Sequence, residues 1–293
     1  MARWLWTQKQ DVGPPRAGDM VYDSSRKRAM LLVNRATWEW DGEDWVQLDD
    51  MGPAGSMALV YDAARNRAIS FGTKDNKVSE TWAWDGEEWT QLADTGPGAR
   101  IDTRMAYDSL RDRVVLFGGE SLVNAALIYG DTWEWNGEQW TQEEDQGPNA
   151  RLGHAMVYDG ERKQTILFGG ADANQYYGDT WGWDGQRWKL LADFGPSARN
   201  WHAMAYNNNS KQTILFGGTY LAMGAPRPAL GDTWEWDGRS WIQRQDMGPP
   251  ARYGAVMIHD DNRDAMVLFG GSGALDPTGQ HPTLHDTWEL TVS

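Results

Sequence analysis

The chain has no cysteine, few histidines and no long apolar run. None of its 293 residues is Cys and only 5 are His. Without thiols there are no disulfides, no thiolate metal sites and no Cys nucleophile. No segment reaches the ~18 apolar residues of a membrane-spanning helix. Met1-Ala2-Arg3-Trp4 carries no secretory h-region, so a cytoplasmic location is expected for the chain as given. Positive charge is also short, with 27 Lys and Arg against 42 Asp and Glu and a formal net charge of −15. That balance repels phosphate backbones and anionic lipid, so neither nucleic acid nor a membrane is expected as a partner. No linker or break in composition divides the sequence, and a single domain over 1–293, acting as a monomer, is expected.

Tryptophan, by contrast, is abundant, at 19 residues. Trp-x-Trp-x-Gly-x-x-Trp runs from Trp38 to Trp45 and recurs from Trp82, Trp133, Trp181 and Trp234. Gly-Pro follows each motif at a fixed offset and stands at residues 13, 52, 96, 147, 195 and 248. Units of about 40–50 residues are the length of a propeller blade. Each unit reads as four strands: a, an alternating stretch ending in Tyr-Asp; b, an apolar run ending in Phe-Gly-Gly; c, Thr-Trp-x-Trp; and d, Trp-Thr-Gln. Asp-Gly or Asn-Gly between c and d predicts tight type I′ hairpins. The sequence ends on a c strand at Trp288, and Trp4-Leu5-Trp6-Thr7-Gln8 is in register as a d strand. An all-β, six-bladed propeller follows, its ring closed by residues 4–8 joining the last blade and protecting the sheet edges.

These motifs resemble the kelch family of β-propellers, the superfamily of the central domain of galactose oxidase, as a bacterial-type stand-alone ring. The Gly-Gly doublets at 118, 169, 217 and 270, the Gly-Pro-x-Ala-Arg runs and the spaced Trp carry the resemblance over essentially the whole chain. It implies the fold and leaves the activity open, because propellers host unrelated functions. Galactose oxidase chemistry is excluded by the absent Cys, and the iron ligands of plant specifier proteins by the lack of an Asp four residues before any His. A relative that equilibrates sialic acid anomers shows that a lone ring can be an enzyme, without a motif to carry over. The extra oligomerisation domain of kelch adaptors is not expected for the chain as given.

In a repeat, a residue that recurs at one register builds the ring, and a break in register points to function. Trp recurs at the c and d registers, and Trp201 lies outside them. At the Trp201 position the other blades hold Ala17, Ser56, Asp102, Gly153 and Gly254. His154 and His202 share a register with Gly18, Met57, Thr103 and Ala255. They read either as structural histidines or as a pair that moves protons near neutral pH. Asp19 and Asp102 would orient or activate them, and His154, His202, Asp19 and Asp102 form the candidate catalytic set. Arg104, Asn200, Trp201 and Tyr253 break register nearby and are candidate ligand-binding groups. Arg100, Arg151, Arg199 and Arg252 co-occur with Asp131, Asp179, Asp232 and Asp286, which predicts an ion pair tying strand a to strand c.

The b to c loops hold one residue in blade 1, six in blade 2 and the longer stretches 120–130, 171–178, 219–231 and 272–285 in blades 3 to 6. Their apolar content, with Tyr129, Tyr176, Tyr177, Tyr220, Leu221 and Met223, suggests a roof over an apolar pocket at the channel mouth. His281 and His285 flank Pro282, which argues against a helical ligand pair, and no metal or cofactor is expected. The leading expectation is a binder of a small, partly apolar organic ligand at the face carrying the b to c loops. A metal-free acid/base enzyme, an isomerase, cyclase or hydrolase, is the alternative for the same pocket. A protein partner docking on the loop face is the third.

Overall fold

The computed structural model describes residues 3–55, 57–74, 78–124, 126–143, 146–220, 227–245 and 248–292. Six four-stranded antiparallel sheets form the blades of a propeller. Blade 4 is representative, with strands a Ala155–Asp159, b Gln164–Phe168, c Thr180–Trp183 and d Trp188–Ala192. The other a strands are Asp19–Asp23, Met57–Asp62, Arg104–Asp108, Ala203–Asn207 and Val256–Asp260, and each packs beside the next around the central channel. Trp4–Gln10 pairs with Thr287–Val292, so the N-terminal segment is the d strand of blade 6 and closes the ring as its register predicted. It runs two residues beyond Gln8, past an irregularity between Gln8 and Gln10.

Each of the six apolar clusters spans two adjacent blades, so the core lies in the seams. At every seam the indole of a d-strand Trp donates to the strand c Thr of the preceding blade. The pairs are Trp45 to Thr287, Trp89 to Thr37, Trp140 to Thr81, Trp188 to Thr132 and Trp241 to Thr180, all at 2.8 Å, and Trp6 to Thr233 at 3.2 Å. Five of those indoles also make tilted or edge-on contact with a strand b Phe of the same neighbour, as in Phe117 with Trp188 and Phe168 with Trp241, while Trp89 packs in a cluster with Leu32 of blade 1. The glycine of Gly-Pro lies on the indole. A Cβ at Gly96, Gly147, Gly195 or Gly248 would come within 2.6 Å of Trp140, Trp188, Trp241 or Trp6. This explains why glycine recurs there: the indole of the next blade leaves no room for a Cβ.

The predicted Arg to Asp pairs are present. Arg100, Arg151, Arg199 and Arg252 are buried and grip Asp131, Asp179, Asp232 and Asp286 with two hydrogen bonds of 2.6–3.0 Å each. Each Arg also donates to the carbonyl of the first Gly of the Gly-Gly doublet, and each Asp also accepts the indole N–H two residues on. Burial opposes the charge on these carboxylates, but the guanidinium outweighs it and holds all four below the usual range. In blade 2 the place of Asp is taken by Glu80, which accepts from Trp82 at 3.1 Å.

Two local expectations are corrected. The c to d turns are not type I′, because only the Gly has positive φ, for example 111° at Gly42, whereas that turn needs it at both central residues. Four residues separate the paired Trp40 and Trp45, and Asp41 fills the loop by accepting the N–H groups of Glu43 and Asp44. Blade 2 has no six-residue loop starting at Lys74. Its b and c strands run on as Arg67–Lys74 and Val78–Trp84. In blades 3 to 6 both glycines of the doublet adopt positive φ and turn the chain out of the sheet. Blade 2 has Gly72-Thr73 instead, and the ladder continues through Thr73 with Ser79.

On the face bearing the a to b turns, an Arg lies over the turn glycine of the next blade. Arg26, Arg65, Arg111, Arg162 and Arg263 cover Gly86, Gly137, Gly185, Gly238 and Gly42. Blade 5 has Ser210 there, facing blade 6, whose c and d strands come from opposite ends of the chain and share no turn.

The seams and the Arg to Asp latches are separable by mutation. Arg151→Met is expected to cost about 2–4 kcal/mol, below the ~3–5 of a fully buried pair because Asp179 keeps some solvent. Thr180→Val, which orphans one indole N–H, is expected to cost about 1–2 kcal/mol. Urea unfolding followed by Trp fluorescence measures both, and a latch variant no less stable than Thr180→Val contradicts the ranking.

Candidate functional site

On the face carrying the b to c loops, a cavity of about 380 Å³ opens over blades 1 to 3. The rim is lowest here because blade 1 joins strands b and c through Asn34 and Arg35 alone, both at positive φ (50° and 72°). Asp19, Asp102 and Arg104, three of the register-breaking residues, meet in its wall with Arg16, Asn34 and Arg35. Asp19 and Arg104 open strands a of blades 1 and 3. Asp102 occupies the left-handed region (φ 52°), which a short polar side chain tolerates. The same register has positive φ at Gly153, Trp201 and Gly254, and these residues are linked head to tail around the mouth. The Gly153 N–H donates to the Asp102 carbonyl at 3.1 Å, Trp201 to Gly153 at 2.8 Å and Gly254 to Trp201 at 2.7 Å.

Two of the cavity groups, Arg104 and Asp19, are poorly satisfied by the protein. Arg104 makes one hydrogen bond, from Nη1 to the carbonyl of Thr103 at 3.0 Å, and no ion pair among the described residues. No hydrogen bond from a described residue reaches the carboxyl of Asp19. Burial raises its pKa from 3.8 to about 6, with Arg104 opposing and Asp102 adding to the rise. A carboxyl that titrates near neutrality beside an under-used guanidinium suits ligand binding or proton transfer more than scaffold duty. Arg35 donates to the carbonyls of Gly52 and Met51, and Arg16 to the side chain of Asn34.

The histidines lie elsewhere. His154 is buried against Phe117, and His202 against Phe168, in seams between blades. Burial first, then the charges of Arg151 and Arg104, depress His154 well below 6.5; burial, Arg199 and Arg104 bring His202 to about 3. Burial therefore favours the neutral imidazole in both, and the two rings sit in different seams, between blades 3 and 4 and between blades 4 and 5. His202 does face a smaller space of about 90 Å³ in the channel, which Asp19 and Arg104 line from the other side. His154 does not line either space.

The loop aromatics do not roof this cavity. Tyr129 and Tyr177 lie flat on Arg100 and Arg151, 3.8 and 4.0 Å from the guanidinium carbon, and so are consumed by the latches. Tyr176 and Tyr220 line a separate recess with Arg227. Trp201 is engaged by Tyr253, stacked at 6.0 Å, and by Arg227 at 4.9 Å, and its indole abuts Gly153. Asn200 is buried behind it, with Oδ1 lacking a partner. Leu221 and Met223 lie outside the described residues. His281 and His285 bond different carbonyls, those of Gly273 and Pro14. Arg16, Asn34 and Arg35 were missed by sequence reasoning. The signal was present in blade 1, which has Arg16-Ala17 where blades 3 to 6 read Ala-Arg, and Val33-Asn34-Arg35 in place of a Gly-Gly doublet and loop.

No protein-family model matches the chain, and no curated protein matches it. Among solved structures it is similar to that of YjhT, with a TM-score of 0.75 over 96% of this chain and 99% of the other. Identity is 13%, so the likeness shows the fold alone. No helix among the described residues is long and apolar enough to cross a membrane.

Asp19 provides a pH test of the cavity's electrostatics. Its folded pKa lies above its unfolded value, so the folded state holds the proton more tightly and loses stability on ionisation. The cost is absent below about pH 4, develops between 4 and 6 and is complete above. Asp19→Asn is therefore expected to be more stable than the parent at pH 7.5 by on the order of 1–2 kcal/mol, allowing for solvent in the cavity. The gain should vanish at pH 4. Thermal unfolding at the two pH values measures it, and a gain of equal size at both contradicts the assignment.

Proposed function

We propose that the propeller binds a small organic ligand bearing an anionic group in the cavity over blades 1 to 3. The observation that carries this reading is the convergence of Arg104, Arg16 and Arg35 with Asp19, Asp102 and Asn34 at the lowest point of the rim. In a chain of formal charge −15, three guanidinium groups in one cavity form a local exception that favours an acid group held by charge-assisted hydrogen bonds. The carboxylates and Asn34 suit hydroxyl or amide groups on the same ligand. The cavity is mainly polar, so affinity rests on these groups and not on the apolar loop residues of the original expectation. The repeat motifs support placing the chain in the kelch family.

One observation favours a second reading, metal-free acid/base catalysis at the same place. Asp19 has a pKa of about 6 and faces the cavity. A carboxyl tuned toward neutrality exchanges protons with a bound ligand more readily than an ordinary Asp. Asp19 would be the catalytic residue, Arg104 the group that holds the substrate's acid function and Asp102 a neighbour that keeps the pKa high.

A thermal-shift screen of small hydroxycarboxylates, each beside its neutral amide, tests the binding reading. Ligand at 100 times Kd should stabilise by about 2.7 kcal/mol. The acid is expected to raise Tm and its amide not to. Arg104→Gln should abolish the shift, while Tyr176→Leu, in the separate recess, should leave it intact. A shift that follows Tyr176 and ignores Arg104 overturns the assignment. If the site is catalytic, Asp19→Asn keeps ligand stabilisation and loses turnover, and the parent's kcat has a limb near pH 6.

A further inference from the structure

The channel has a second mouth, on the face of the a to b turns, and the sequence reading passed over it because its residues recur. There a cavity of about 330 Å³ is ringed by Tyr22, Tyr61, Tyr107, Tyr158 and Tyr206, with His259 in the sixth place. Its floor is Met20, Met105, Met156, Met204 and Met257 with Leu59, again one residue from each blade at one register. The same six residues line the 90 Å³ space above, so they form a septum between this bowl and the groups of the other mouth.

Three of the five tyrosine hydroxyls are tied into neighbouring turns, and those of Tyr61 and Tyr158 are buried. Those of Tyr22, Tyr107 and Tyr206 accept the N–H groups of Asn262, Ala64 and Glu161, each in the turn of the preceding blade, and Tyr107 also donates to Asp112 at 2.9 Å. Aromatic ring surface, with polarisable thioether beneath, is what these residues have left to offer an occupant.

The one break in this ring of tyrosines brings the one charge. His259 replaces Tyr, and its Nδ1 lies 2.7 Å from Oδ1 of Asp261, which also accepts from Asn208 Nδ2 at 2.8 Å. Nε2 lies 3.1 Å from Asp264. Burial opposes ionisation of Asp261, but the hydrogen bonds from His259 and Asn208 outweigh it and keep the carboxylate charged. Among the described residues Asp261 is the only Asp, Glu, Lys or Arg in the wall of the bowl. Five aromatic rings around an apolar floor with a single fixed carboxylate at the edge have the composition that recognises organic cations, through ring quadrupoles and one counter-charge. We propose that this bowl is a second binding site, for a small quaternary or alkylated ammonium group, with the aromatic ring of Tyr residues enclosing the cation and Asp261 as its counter-ion.

Choline and its neutral isostere 3,3-dimethyl-1-butanol are the probes, titrated into the intact protein and followed by proton NMR. Choline is expected to bind saturably, with its N-methyl signal moved upfield by the tyrosine ring currents and an affinity at least about tenfold above the isostere. Asp261→Asn and Tyr158→Leu should each weaken it about tenfold, and Tyr158→Phe, which keeps the ring, should leave it within about twofold. If Asp261→Asn fails to fold, Ser109→Trp, which fills the bowl from an exposed turn, should abolish binding instead. Arg104→Gln and Asp19→Asn at the other mouth should have no effect, which separates failure here from failure of the anionic site. The proposal is overturned if the isostere binds as well as choline, if loss of Asp261 or filling of the bowl changes nothing, or if Arg104→Gln abolishes binding.

Discussion

An indole N–H that crosses a seam to a threonine hydroxyl ties the ring together, and most of the sequence's peculiarities follow from it. Burying Trp in the gap between two twisted sheets removes a large apolar surface from water, but it strands a donor unless the neighbouring sheet offers an acceptor. The threonine opening each c strand meets that need at all six seams. Once the indole is fixed, the residue crossing above it can have no Cβ, and glycine is set there. The Arg to Asp latches then secure the segment that follows, in blades 3 to 6. Stability is circular in consequence, since each blade's tryptophan is satisfied by the blade before it.

The centre of the molecule stands apart from this arrangement. The indole N–H of the d-strand Trp has its partner at all six seams, whereas no hydrogen bond from a described residue reaches the carboxyl of Asp19, and Arg104 makes one. Asp19 carries a raised pKa, a state that costs folding energy. The two ends of the channel differ in kind. One is a polar, asymmetric cavity made where blades 1 and 3 depart from the pattern, and the other is a near-symmetric aromatic bowl made where the pattern is kept.

That contrast explains what was legible in the sequence. Strand order, ring closure through Trp6 and the pairing of Arg with Asp all depend on register, and register survives in one dimension. Asp19, Asp102 and Arg104 were visible for the same reason, as exceptions to it. Tyr129 and Tyr177 misled because a loop side chain's role depends on what lies beneath it, and beneath these two lie the guanidinium planes of Arg100 and Arg151. The surroundings of His154 and His202 were not legible because sequence position does not report burial, which disfavours their charge. Thr73 in place of a second glycine was a readable signal that blade 2 would extend its strands. The tyrosine and methionine circles went unread because repetition was taken to mean scaffold alone, although residues repeated around an axis also converge on it.

Trp6 is made 227 residues before Thr233, which accepts its indole N–H, and Leu290, in the same cluster, follows later still. A ribosome adding about 5–20 residues per second therefore leaves the sealing strand without its partners until blades 1 to 5 have been synthesised. Those five blades can assemble in order of synthesis, but the sixth has to recruit a strand made before any of them. Closure joins the first and last strands of the ring, and until it occurs the newborn propeller carries an open edge that invites pairing with another copy of itself.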